Sequence, residues 1–111
     1  FSDGHNVALH EFAHQLDQQS GQADGIPANL NTYYYTWKNT FDKEYNNLIK
    51  EMENAEYDSI DFYGTTNKAE FFAVSTETFF EKPALMKAEH PELYNLLVRY
   101  YKIDPEKIFF R

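Results

Sequence analysis

The sequence predicts a mainly α-helical domain of about four helices, and three observations lead there. Apolar residues recur in steps of three and four along the longest uninterrupted segment, Tyr34, Trp37, Phe41, Tyr45, Leu48 and Met52. Proline and glycine fall between such segments rather than inside them. Aromatic residues make up 18% of a 111-residue chain, which gives one compact domain enough bulky core material despite its small size.

Taken in order, the first helix is expected from about His5 to Gln19, after Gly4. Residues 20–29, SGQADGIPAN, hold two glycines and a proline and read as a loop. The second helix is expected from Leu30 to about Glu56, its polar face being Lys, Asn, Asp and Glu. Residues 57–67, YDSIDFYGTTN, favour turns through Asp58, Asp61, Gly64 and Asn67, with Ile60 to Tyr63 as a candidate short strand. The third helix runs from Lys68 to Glu81 and stops near Lys82, because Pro83 disfavours helical geometry in the residue before it. Pro91 opens a fourth, with Leu93, Leu96, Leu97 and Tyr100 on one side. The tail KIDPEKIFFR fits no single pattern.

Composition excludes several functions. Eighteen acidic against ten basic residues give a net charge of −8, the wrong sign for nucleic acid or an anionic membrane surface. No apolar run approaches the length of a bilayer span, and no signal-peptide pattern is present. With no cysteine, disulfides and thiolate metal sites are excluded, so any metal is held by imidazole and carboxylate. The default compartment for such a chain is cytoplasmic. The chain opens on Phe1 rather than Met and is expected to be a piece of a longer protein.

The chemistry concentrates in HEFAH, residues 10–14. On a helix, residues four apart share a face, so His10 and His14 can reach one ion, with Asp17 on the same side. Leu9, Phe12 and Leu16 form an apolar stripe opposite, the expected core face. Glu11 is turned about 100° from His10, beside the ion, where it can take a proton from an activated water. Catalytic zinc needs three protein ligands and an open position for water. The alternative is chance: a three-residue pattern arises on amphipathic helices with both histidines in ordinary structural roles.

A third ligand is therefore required. The extended patterns that add a glycine and a third histidine fail, since Asp17 and Ser20 stand at those places. His5 is about 140° from His10 round the helix and is expected to be exposed. His90, before Pro91, reads as a helix start. Carboxylates remain, in NKAEFFAVSTETFFEKP. Apolar residues surround nearly the whole wheel of this helix, yet Glu70 and Glu77, seven apart, share a face with no lysine or arginine on it. A buried carboxylate needs an opposite charge. A metal would satisfy Glu70, and a metal-bound histidine would satisfy Glu77. Against this, Asn67 and Glu70 also fit a helix capping box, and Glu77 would face water if the helix lay at an edge.

HEFAHQLD, the loop ADGIP and the separate helix AEFFAVSTETFFEKP together resemble the Mlc titration factor A family of zinc-dependent peptidases, from about Asn6 to Pro105, with a more distant likeness to the anthrax lethal factor protease domain. The resemblance implies a zincin-like helical catalytic subdomain, one domain over residues 1–111 forming the C-terminal part of a longer protein. It implies Zn2+ held by His10, His14 and Glu70, with Glu11 as general base. It places Tyr63 beside the active site, its phenol donating to the oxyanion. Asp17 is then a residue that supports the ligands by hydrogen bonding, and Asp24 shapes its own turn. The substrate implied is a peptide or protein. The alternative role implied is regulatory: binding the sugar-uptake repressor Mlc and drawing it off its DNA, with the zinc site structural or vestigial. The aromatic cluster Tyr33, Tyr34, Tyr35 and Trp37 is either such an interface or core. The family's region before the zinc helix is absent, which leaves the apolar side of the first helix less covered and the substrate backbone without its usual edge strand.

Overall fold

A computed structural model describes residues 7–19, 21, 24–28 and 30–109. Among them are six α-helices and two 3-10 turns: α1 Val7–Gln18, a 3-10 turn at Asn31–Tyr33, α2 Tyr34–Glu53, a second at Phe62–Thr65, α3 Lys68–Glu81, α4 Pro83–Glu89, α5 Pro91–Tyr101 and α6 Pro105–Phe109. The described residues contain no β-strand and no helix long and apolar enough to cross a membrane. His5 lies outside the described residues.

Helix α3 is the axis of the fold. Residues 71–79 are all buried, as expected for a helix apolar round most of its wheel. Its start is set by Asn67, whose Oδ1 accepts from the Glu70 amide at 2.9 Å. Helix α1 packs along one side and α5 touches another, while α2 reaches α3 through Trp37 on Phe72 and Phe41 on Phe71. The stripe on α2 is core in its middle, with Trp37, Phe41 and Leu48 buried, while Tyr34 and Met52 at its ends are exposed. Trp37 stacks on Phe41 with ring centroids 4.8 Å apart and meets Phe72 and Tyr100 edge-on. The aromatic cluster is thus divided: Trp37 is core, Tyr33 is half-buried against the Arg99 guanidinium, and Tyr35 is exposed.

Two expectations change. The described residues form six helices where about four were expected, because proline both ends and begins a helix. Pro83 and Pro91 each occupy the first turn of the next helix, where a missing amide costs no hydrogen bond. The short α6 begins the same way at Pro105, held by the Tyr94 hydroxyl, which donates to Asp104 and accepts from the Glu106 amide. Residues 60–63 are no strand; Asp61 accepts from the Tyr63 amide at 2.8 Å and caps the 3-10 turn. That turn lies against α3 at Gly64, where a Cβ would stand 2.7 Å from Val74 Cγ2.

His90 does start a helix, and it is also a buried cation. Its Nδ1 donates to Glu44 Oε1 at 2.6 Å and its Nε2 to Asp58 Oδ1 at 2.8 Å, tying α2, the 54–61 segment and α5 together. Burial works against the charge, but the two carboxylates outweigh it and push the imidazole up to about 10. Because the folded value exceeds the unfolded 6.5, this stabilisation is complete below pH 6.5 and is lost as pH rises through about 10. Denaturant melts across that range should show stability falling for the wild type. His90→Gln should flatten the fall and cost about 3–5 kcal/mol at pH 6, since it leaves buried carboxylates unpaired.

Candidate active site

Glu70 and Glu77 both turn toward α1. Glu70 Oε1 lies 2.8 Å from His10 Nε2 and 3.0 Å from His14 Nε2, and the two Nε2 atoms are 3.1 Å apart. Glu77, 3% exposed, accepts from His10 Nδ1 at 2.6 Å. The histidine face of α1, with Ala13 and Asp17 fully buried, therefore meets α3. Of the stripe Leu9, Phe12, Leu16 only Leu16 packs against the core, while Phe12 is 48% exposed and Leu9 half-buried. Pairing the carboxylates of α3 decides which side of α1 turns inward.

Asn67 caps α3, so one half of the capping box forms. The Glu70 carboxyl goes to the histidines, which is the arrangement a metal ligand requires. Glu77 is buried, which removes the edge-helix alternative.

The donor set suits a divalent cation. With its Nδ1 proton given to Glu77, neutral His10 turns an Nε2 lone pair toward a carboxylate oxygen and a second imidazole nitrogen. Three electron pairs in one spot repel unless a positive charge lies among them. An ion ~2 Å from three tetrahedrally disposed donors separates them by roughly 3.3 Å, close to the spacings here. Without an ion the charge is a proton: burial disfavours it on His10, but hydrogen bonds and charge from Glu77 and Glu70 prevail and raise the imidazole above its usual 6.5. Asp58, Glu89 and His90 form a second grouping of metal-type donors, but there both ring nitrogens of His90 are already engaged, one by Glu44 and one by Asp58.

Glu11 is exposed. Tyr63 is 53% exposed, with its ring centroid 6.2 Å from that of His10. Asp17 approaches no metal-type donor set; its Oδ1 accepts from the Gly25 amide at 2.7 Å. Burial pushes its carboxyl above the usual range despite that hydrogen bond. Asp24 accepts from the Ile26 amide at 3.1 Å, closing its own turn. His10, His14 and Glu70 are each about one-fifth exposed, whereas Glu77 lies beneath them, so the centre opens to solvent on one side. Two glycines have a closer role than the sequence suggests: Gly64 seats the turn carrying Tyr63, and Gly25 meets the start of α3. Each was visible only as a turn residue.

Two histidines one turn apart on one helix and a glutamate on a facing helix define the class of site: a candidate metal centre with an acidic side chain next to it. The chain belongs to the glucose-regulated metallo-peptidase M90 family, whose profile matches residues 1–102. It is similar to an uncharacterized protein of Synechocystis sp., with 46% identity over 106 residues, covering 95% of this chain and 38% of that protein. It is also similar to Mlc titration factor A of Yersinia pestis, with 33% identity over 105 residues, covering 92% of this chain and 39% of that protein. The same values hold for Mlc titration factor A of Yersinia pseudotuberculosis. The chain thus spans less than two fifths of the length of these relatives.

In metal-free protein, histidine NMR should show His10 titrating above 6.5, and Glu77→Gln should lower that midpoint. Added zinc should abolish the titration and release protons, because metal and proton compete for the same nitrogen.

Proposed function

We propose that this chain carries the catalytic centre of a zinc-dependent peptidase. The observation that supports it most is the meeting of His10 Nε2, His14 Nε2 and Glu70 Oε1 within 3.1 Å of one another, from segments 56 residues or more apart in sequence. Membership of a metallo-peptidase family points the same way. A Zn2+ held by those three atoms would supply Lewis acidity, polarising a peptide carbonyl and bringing a water's pKa toward ~7.

The chain's own groups do the rest. Glu77 accepts a hydrogen bond from His10 Nδ1–H, which fixes the tautomer and leaves Nε2 free to ligate. Glu11, adjacent to a ligand and open to solvent, accepts the proton of the attacking water and returns it to the leaving amine. Tyr63, at the rim, donates its phenol proton in a hydrogen bond to the oxyanion of the tetrahedral intermediate. A peptide or protein reaches the centre from its open side.

The test is Glu11→Gln. Zinc content should stay at wild-type level while peptide hydrolysis falls by about 10²–10⁴-fold, the usual contribution of a positioned base. Undiminished hydrolysis would sink the mechanism. Tyr63→Phe should lower kcat more than it changes KM. Stripping the metal with a chelator should lower the melting temperature, and zinc should restore it. The name of the Yersinia relatives, Mlc titration factor A, favours a second role, capture of an Mlc-like repressor. Retention of that capture by Glu11→Gln, with no peptide cleaved by the wild type, would favour binding over catalysis.

A further inference from the structure

We infer that Gly25 is a positioning residue for the metal centre, setting the distance between the two helices that carry its ligands; this rests on the zinc reading of that centre. Three features of the residue are engaged at once. Its amide donates to Asp17 Oδ1 at 2.7 Å, three residues after His14 on α1. Its carbonyl accepts from Trp37 Nε1 at 2.9 Å, which anchors it to the core of α2. Its Cα faces the start of α3, where a Cβ would stand 2.7 Å from the Lys68 carbonyl oxygen, two residues before Glu70. Its φ of +79° also lies in the left-handed region that favours glycine.

The residue is therefore a spacer with no side-chain thickness, within one turn of a ligand on each helix. The opposite end of the contact is helix backbone. Lys68 is bound to Asp42 at 2.9 Å, and Asp42 to Lys38 at 2.9 Å, so the first turn of α3 is tied to α2. A methyl group at position 25 meets backbone that cannot swing aside as a side chain can. It must push α3 away from α1 or break the Asp17 hydrogen bond, and either moves Glu70 relative to His14. A shift of a few tenths of an ångström matters at a centre whose bonds are ~2 Å long.

Gly21 provides the control. Its φ of +86° matches that of Gly25, but a Cβ there would meet nothing within 4 Å. Alanine at either position carries a similar conformational cost, and only at position 25 does it also wedge the helices. The experiment measures Zn2+ affinity by chelator competition, and the visible spectrum of the Co2+-substituted protein, in the full chain. Gly25→Ala should bind zinc about tenfold or more weakly and show an altered cobalt spectrum, with Gly21→Ala within about twofold of wild type. Asp17→Ala should follow Gly25→Ala, and Asp17→Asn, which keeps an acceptor oxygen, should recover most of the affinity. If Gly25→Ala does not fold, the Asp17 pair decides. Wild-type affinity and spectrum in folded Gly25→Ala or Asp17→Ala would overturn the spacer while leaving the zinc centre intact. A wild type that binds no zinc would overturn both.

Discussion

The fold depends on neutralising two carboxylates carried by its most buried helix. A helix surrounded by Phe71, Phe72, Val74 and Phe79 has no solvent to hydrate Glu77, and only a little for Glu70. Burying an isolated carboxylate is prohibitive, so a partner has to come from another element. His10 supplies both ring nitrogens, one to each carboxylate, and His14 joins at Glu70. The docking of α1 follows from this. Its polar face turns in, and Phe12 is left substantially exposed, the reverse of what hydrophobicity alone dictates.

The same principle appears a second time in the molecule, with a different outcome. His90 lies between Glu44 and Asp58 much as His10 lies between Glu77 and Glu70. At His90 the protonated ring bridges two carboxylates, and the group acts as a tie between three segments. At His10 a second imidazole nitrogen enters the same space, and a proton on one ring no longer serves all three atoms well. The presence of His14 separates a structural ion pair from a candidate metal centre.

Close backbone approach supports the centre from two sides. The 3-10 turn carrying Tyr63 sits directly against α3 through Gly64, and the loop carrying Gly25 sits against the first turn of the same helix. Both approaches exclude a Cβ, and both occur beside a residue of the proposed site. The exposed side of α1 has no comparable support among the described residues. The chain spans less than two fifths of its relatives' length.

Much of this was legible from the chain by itself. The limits of α3 follow from Asn67 and Pro83, and the pairing of His10 with His14 follows from helical periodicity. The need of Glu70 and Glu77 for a charged partner follows from the apolar residues around them, since local sequence controls local dihedrals and the faces of a single helix. Tyr63 came only through family resemblance, as one of nine tyrosines with nothing local to mark it. What required the tertiary structure were the facts that depend on two elements meeting. These are the inward face of α1, the buried charge on His90, and the contact of Gly25 with Lys68. Each turns on a distance between residues far apart in the chain, and periodicity along one helix carries no information about the helix it will meet.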